Sequence, residues 1–270
     1  MVVYYFGPAF TNTHAAALKA FGSEATFEPC TTITQVFDAV ADGPGSHGVV
    51  PIENSTEGVV RETMDCLIER APVIELELEL DIRHELLTAP GVTLEAIRVV
   101  LSHPQALAQC RLWMERHVPR AARELAPSTS AAAASVVGRT DAAAIAAPLA
   151  GSHYGLSSLA SDIGDRHDNA TRFAAIALEG PPPSGHDRTT LVFTTPHERG
   201  ALRRTLGIFD DAGVNMTRIE SRPLPSKRWE YAFVVDLEGH QSDPALAQAI
   251  VELRTRGLLG KVLGSYPKAS

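Results

Sequence analysis

The chain has 270 residues, 44% of them apolar and 21% charged, ordinary values for two soluble domains with a sizeable core. Its 24 basic and 32 acidic residues leave a net charge of −8, which argues against a nucleic-acid or anionic-membrane surface but allows a local anion pocket. The three cysteines are too few and too widely spaced for a disulfide framework, the opening MVVYYFGP lacks the features of a signal peptide, and no apolar stretch could span a bilayer, so a cytoplasmic protein is expected.

Residues 2–6 form an apolar run that stops at Gly7-Pro8, a strand followed by an Ala-rich helix over 13–21. Ile33, Val36, Phe37 and Val40 fall at i, i+3, i+4 and i+7 and predict a helix that stops at Gly43. A strand over 48–52 comes next, then a helix marked by Val60, Met64, Leu67 and Ile68. A strand over 97–101, a helix over 105–115 and strands over 142–147 and 171–178 continue the alternation, which predicts a parallel α/β arrangement. One segment departs from it. Ile74, Leu76, Leu78, Leu80 and Ile82 interleave with Glu75, Glu77, Glu79 and Asp81, a strict period of two. That predicts a long strand with a solvated acidic face, able to carry the chain between two sheets and so to divide this region into a pair of lobes.

Gly180-Pro181-Pro182-Pro183-Ser184-Gly185-His186 reads as a linker, which divides the chain into 1–180, a linker over 181–188, and 189–270. Beyond it the spacing predicts a strand over 190–194, a helix over 201–212, strands over 215–221 and 231–237, a helix over 244–256 and a strand over 261–266. This β-α-β-β-α-β order is that of the split ferredoxin-like motif.

Gly43-Pro44-Gly45-Ser46-His47-Gly48 matches a dinucleotide fingerprint in letters only, because it follows a helix and leads into a strand. There is no Walker A motif, no H-E-x-x-H and no paired-cysteine spacing, so nucleotide-driven and zinc chemistry are not expected. What recurs is a strand end, a loop of hydroxyl and amide residues, and then a helix. Such loops are Thr11-Asn12-Thr13, Glu53-Asn54-Ser55-Thr56, Ser102-His103-Pro104-Gln105 and Ser128-Thr129-Ser130. Ligands of open α/β sheets bind beyond the carboxyl ends of the strands, where helix N-termini suit carboxylates. Each loop taken singly would be an ordinary N-cap. A fifth segment, Asp168-Asn169-Ala170-Thr171-Arg172-Phe173, lines up an amide, a hydroxyl and a guanidinium. Arg172 could fork onto a carboxylate or form a surface ion pair. Gln105 and Gln109, at i and i+4, share one helix face and point into the cleft or to solvent.

Gly48-Val49-Val50-Pro51-Ile52-Glu53-Asn54-Ser55-Thr56-Glu57-Gly58 resembles a signature of the prephenate dehydratases. Residues 102–110 (Ser-His-Pro-Gln-Ala-Leu-Ala-Gln-Cys) and 128–132 (Ser-Thr-Ser-Ala-Ala) resemble two more, and Asn169-x-Thr171-Arg172-Phe173 is similar to the motif that carries the family's catalytic threonine. Gly200-Ala201-Leu202 and Glu220-Ser221-Arg222-Pro223 resemble the phenylalanine-binding motifs of its ACT domain. The resemblance implies an α/β fold: a two-lobed catalytic domain like the type II periplasmic binding proteins, followed by a βαββαβ ACT domain. It implies conversion of prephenate to phenylpyruvate, water and CO₂ without a cofactor, under regulation by L-phenylalanine, in a homodimer or homotetramer. Thr171 would meet the leaving hydroxyl, and Asn54 and Gln109 would orient the substrate. Ser102, Thr129 and nearby helix N-termini would hold carboxylates, and Thr11, Thr13, Ser55, Gln105, Ser130, Asn169, Arg172 and Phe173 would complete the substrate site. Gly200, Ala201, Leu202, Asn215, Glu220, Ser221, Arg222 and Pro223 would hold the effector.

One motif departs from the family's opening G-P-x-G-[ST]-[FY]-[ST]: Phe10 replaces the glycine and Asn12 the aromatic residue. Either the loop is reshaped or the ligand differs. The departure motivates a second reading, a relative that acts on arogenate or aminoprephenate or that decarboxylates prephenate without dehydrating it. A third reading, a non-catalytic amino-acid sensor, is disfavoured by the intact Thr171-Arg172-Phe173.

Overall fold

The computed structural model describes residues 1–223 and 231–268. Residues 224–230 and 269–270 of the expected C-terminal domain lie outside the described residues. Short apolar runs pair into sheets and amphipathic helices cover them, in the order β1 (Val2–Phe6), α1 (Asn12–Phe21), β2 (Thr26–Cys30), α2 (Ile33–Asp42), β3 (His47–Asn54), β4 (Gly58–Val59), α3 (Arg61–Glu69) and β5 (Val73–Asp81). The middle of the chain forms β6 (Glu85–Thr88), β7 (Val99–Ser102), α4 (Pro104–Gln109), α5 (Arg111–His117), β8 (Ala122–Leu125), α6 (Thr129–Ser135), β9 (Ala142–Ala146), α7 (Pro148–Tyr154), β10 (Ser157–Ala160) and β11 (Ala170–Ala177). The remainder forms β12 (Asp187–Thr194), α8 (Ala201–Asp211), β13 (Met216–Pro223), β14 (Tyr231–Glu238), α9 (Pro244–Thr255) and β15 (Leu259–Pro267).

The strands make three sheets, ordered β2-β1-β3-β11-β5 with β4 beside β3, then β10-β6-β9-β7-β8, then β13-β14-β12-β15. The period-two strand β5 does leave the first sheet for the second, and β11 returns to the first between β3 and β5. The wholly parallel arrangement expected from the alternation needs correction. In the second sheet β7 runs parallel to β8 and β9, but β6 is antiparallel to both β9 and β10. The reason is the connection: within this sheet β6 is joined to β7 through a single 3-10 turn, Leu94–Ala96, in place of the crossover helix that parallel strands require. The helix expected over 105–115 is two helices that break at Cys110, where the carboxylate of Asp165 accepts from Leu112 N–H at 3.0 Å and Trp113 N–H at 3.1 Å. A helix N-terminus capped from more than fifty residues away leaves no local signature.

The acidic row of β5 is also not the solvated face it was expected to be. Glu79 and Asp81 are exposed, but Glu77 is 4% exposed and takes both hydrogen bonds from the Arg188 guanidinium, at 2.7 and 2.6 Å. Glu75 meets His47 at 2.6 Å. An Arg–carboxylate fork lets a charge be buried where burial alone would be costly.

By contact density the chain forms two compact units, Met1–Val36 with Val49–Val60 and Glu79–Phe173, and Phe37–Gly48 with Arg61–Leu78 and Ala174–Ser270. The first unit packs two apolar clusters on the faces of the second sheet. Leu86, Val100, Leu107 and Ile145 lie in one, and Leu87, Leu101, Ala144 and Val136 in the other. The second unit buries Leu191, Phe193, Phe209, Val235 and Leu253 between the last sheet and α8 and α9.

Candidate active site

Within the first unit a cavity of about 380 Å³ opens where strand ends and helix starts meet. Thr171 and Phe173 of β11, Asn54 of β3, Asn12 and Thr13 of α1, Gln105 and Gln109 of α4 and Thr129 of α6 all line it. Its apolar walls include Phe6, Ile33, Val60 and Ile82. Alternation along β11 selects the side chains, because residues two apart share a face and the one between them turns away. Thr171 and Phe173 therefore face the cavity, whereas Arg172 pairs with Glu53 at 3.1 Å and is not among the lining residues. No Lys or Arg lines the cavity among the described residues, and Glu57 is its one carboxylate. Three helices, α1, α4 and α6, begin at its wall, and a helix start carries partial positive charge. Among the described residues no cluster of His, Cys, Asp or Glu is placed to hold a metal ion.

Asn54 is the centre of a hydrogen-bond network. Its carbonyl oxygen accepts from Thr56 N–H at 3.0 Å, Glu57 N–H at 3.1 Å and the Thr56 hydroxyl at 2.5 Å. Its amide nitrogen, oriented by those bonds, donates to Thr171 Oγ1 at 2.8 Å and Asn169 Oδ1 at 2.8 Å. Thr171 thus receives a hydrogen bond on its oxygen, and its own proton remains available to a neighbour in the cavity. Gln109 joins from α4, donating to Thr56 Oγ1 at 3.3 Å and meeting His84 Nε2 at 2.9 Å through Oε1. His84 is buried at the cavity wall, and burial pulls its imidazole below the ordinary histidine range, against the opposing effect of the Gln109 bond. Nothing in the local sequence singles out His84; only the crossing from β5 to β6 brings it there.

The remaining substrate-site candidates are near but turned to the backbone. Ser102 donates to Ile145 C=O and Ser130 to Ala9 C=O, both at 2.6 Å, and Thr11 donates to Pro8 C=O at 3.0 Å. Ser55 bridges to the chain before β11, accepting from Ala170 N–H at 3.0 Å and donating to Asp168 C=O at 3.1 Å. Asn169 is buried behind the cavity, between Asn54 and Gln109. These five brace the loops rather than line the cavity.

The Phe10 departure has a backbone explanation. Phe10 has φ of 64°, the left-handed conformation that glycine adopts freely and other residues rarely do. Its ring turns away from the cavity and stacks on His153, with ring centres 3.4 Å apart and planes at 15°, against the second-sheet cluster. Asn12 is the replacement that reaches the cavity.

In the second unit a cavity of about 490 Å³ is lined by Gly200, Ala201 and Leu202 together with Thr195–Arg199, Tyr231 and Phe233. Gly200 has φ of 77° and starts α8. The other effector candidates, Asn215, Glu220, Ser221, Arg222 and Pro223, do not line it. Most of them lie on the edge strand β13, from which Arg222 reaches Asp65 of α3.

The chain matches the family model of prephenate dehydratase over residues 3–181 and that of the ACT domain over 189–255. The bifunctional chorismate mutase/prephenate dehydratase of Pseudomonas aeruginosa is 42% identical over 267 residues, covering 99% of this chain and 73% of that protein. The structure of prephenate dehydratase from Arthrobacter aurescens in complex with L-Phe superposes with a TM-score of 0.90 at 36% identity, over 99% of this chain and 90% of that one. GqqA, described as a novel type of quorum-quenching acylase, superposes with a TM-score of 0.88 at 33% identity, over 100% of this chain and 98% of that one. A family match over the cavity-bearing residues 3–181 and a second over residues 189–255 identify the chain as a member of the prephenate dehydratase family that carries the ACT domain.

Proposed function

We propose that in prephenate dehydration by this enzyme Thr171 meets the departing hydroxyl, with Asn54 and Gln109 orienting the substrate. The 2.8 Å bond from Asn54 Nδ2 to Thr171 Oγ1 carries this reading. An amide that donates to the hydroxyl oxygen fixes where it sits and directs its proton outward, and it stabilises charge that grows on that oxygen. As the ring carboxylate leaves as CO₂, its bonding electrons become a ring π bond. The carbon–oxygen bond across the ring breaks towards oxygen, which takes a proton and leaves as water. Aromatisation drives the step, and the protein's work is placement. The starts of α1, α4 and α6, with Thr13, Gln105 and Thr129, suit the two carboxylates, and the apolar wall suits the ring.

The likeness to an acylase suggests hydrolysis as a competing reading, and the lining residues disfavour it. No Ser or Cys is among them, and Thr171 is bonded to an amide, with no base in the network placed to activate it as a nucleophile. Incubating the purified protein with prephenate and identifying the products by mass tests the reading. Phenylpyruvate with CO₂ supports it, and a decarboxylated, still hydroxylated product would overturn it.

L-Phenylalanine is the effector this reading assigns to the second unit. The left-handed Gly200 lets the backbone approach a ligand at the start of α8, whose free N–H groups suit a carboxylate. Edge strand β13 offers unpaired backbone for a second copy of the chain, which supports a homodimer or homotetramer, acting in the cytoplasm. On this reading the catalytic domain is 1–180, the linker 181–188 and the ACT domain 189–270. Calorimetric titration of L-phenylalanine should show heat for the wild type and none for Gly200→Val, with turnover intact in both. Equal heat in the two would place the effector elsewhere.

A further inference from the structure

Three amides and one imidazole at or just behind the cavity wall can each be set two ways round, and two backbone N–H groups fix the first and through it the rest. The N–H groups of Thr56 and Glu57 both donate to one end of the Asn54 amide, so that end is the oxygen. Asn54 Nδ2 then donates to Asn169, whose facing atom must be Oδ1, which turns Asn169 Nδ2 towards Gln109 at 3.4 Å. The Gln109 atom facing it is therefore Oε1, an acceptor only. The other partner of this oxygen is His84 Nε2 at 2.9 Å, so that nitrogen carries a proton. The far end of Gln109 agrees: its Nε2 donates to Thr56 Oγ1, whose own proton is committed to Asn54.

We propose that His84, with its proton on Nε2, is a positioning residue for the reaction: it holds the Gln109 carbonyl oxygen and so keeps the Gln109 NH₂ turned to Thr56, whose hydroxyl is bonded to Asn54. A glutamine amide turned the other way would set its oxygen against Thr56 Oγ1, which would lose its donor, and its NH₂ against the proton on His84 Nε2. Without His84, only the long bonds to Asn169 at 3.4 Å and Thr56 at 3.3 Å would oppose that rotation. Packing alone does not call for an imidazole at this place, since a phenylalanine ring fills similar space. What phenylalanine cannot supply is the N–H.

The inference rests on Gln109 as a substrate-orienting group, and the experiment separates the two ideas. Turnover of prephenate is measured for wild type, Gln109→Leu, His84→Phe and His84→Gln, with thermal melting to confirm folding. His84→Phe should lose about 10²-fold in kcat/KM, the scale of a misplaced reacting partner. His84→Gln, whose amide nitrogen falls close to the place of imidazole Nε2, should be at least tenfold more active than His84→Phe. A role in packing alone predicts the reverse order. Activity of His84→Phe within threefold of wild type, or of His84→Gln no better than His84→Phe, overturns the proposal. Should His84→Phe fail to fold, His84→Asn takes its place, because its nitrogen falls at the Nδ1 position and short of Gln109. Full activity of Gln109→Leu would remove both ideas, whereas an inactive Gln109→Leu beside an active His84→Phe removes only the role of His84.

Discussion

Thr171 is 8% exposed and its oxygen is already hydrogen-bonded, so a substitution there can remove chemistry while the fold is spared. Thr171→Val keeps the shape of the side chain and deletes the proton. One positioned acid is worth about 10²–10⁴ in rate, and kcat should fall by that amount while the melting temperature changes little. A variant that keeps more than half of the wild-type kcat would show that another group meets the leaving oxygen. The two departures in the first loop separate in the same way. Phe10→Gly relieves a left-handed backbone, worth about 1–2 kcal/mol, and gives up a ring stack worth about 0.5–1.5 kcal/mol. Stability should therefore shift by little, and kcat/KM for prephenate should stay within threefold because the ring does not face the cavity. Asn12→Phe does change the cavity wall, so KM should move with it. The opposite pattern, with Phe10→Gly altering KM and Asn12→Phe silent, would contradict the placement of the two side chains.

Between elements of the second unit, β15 comes close to β5 at Gly264 and Ile74. A Cβ added to Gly264 would overlap Ile74 C=O and lie 2.8 Å from Ile74 N, atoms that no rotamer change can move. Gly264→Ala must push the strands apart, and the cost should reach the upper end of the roughly 1–3 kcal/mol usual for overpacking. Chemical denaturation would read this as a lower midpoint, and an unchanged midpoint would mean that the strands separate freely. The same strand anchors α3. Lys261 Nζ donates to Leu67 C=O at 2.8 Å and to Arg70 C=O, capping the end of the helix, and burial lowers its pKa from the usual lysine value. Arg222 of β13 holds the other side of α3 through Asp65 and Arg61 C=O. This helix follows directly from Val59 and Val60, which line the active-site cavity.

For the molecule as a whole, the histidines and carboxylates with shifted pKa values push stability in one direction with pH. His84 is held below the ordinary histidine pKa by burial, and His14 by burial and then by the nearby His153. Phe10 N–H donates to His14 Nδ1, a bond that a proton on that nitrogen would abolish. Both histidines bind protons more weakly in the folded chain than in the unfolded one. Stability therefore rises with pH, and it falls as pH drops below the unfolded value of about 6.5 towards the lowered folded values. Asp187 adds a second loss at lower pH. Burial would raise its pKa, but the Ser184 hydroxyl and the Ser184 and Gly185 N–H groups outweigh that and hold it below the usual carboxylate range. Stability from that bonded carboxylate is present above its unfolded pKa and is lost as pH falls through the folded one. Thermal melts should show a lower midpoint at about pH 5 than at about pH 7.5, either side of the unperturbed histidine value, and His14→Phe should flatten that difference. A midpoint that rises on acidification would refute the assignment.

The alternation of apolar runs and helices and the βαββαβ order were legible in the sequence, because each depends on residues close together along the chain. So was the pairing of Gln105 and Gln109 on one face, which helical spacing alone dictates. The edge strands β2 and β8 were not, since TFEPC and AREL carry little apolar signal and are strands only because β1 and β7 supply backbone partners. Nor could the sequence tell which of two adjacent polar residues would face the ligand. Thr171 reaches the cavity and Arg172 reaches Glu53 because β11 enters the sheet in one register, and a one-residue slip would have exchanged them. Ser102 and Ser130 have the right chemistry for a carboxylate, but carbonyls from β9 and from the loop after β1 lie closer and take their protons. Composition and spacing determined which chemical groups the molecule owns and roughly where its loops fall. Strand register, and the buried backbone groups that had to be satisfied first, decided which of those groups were left to face the cavity.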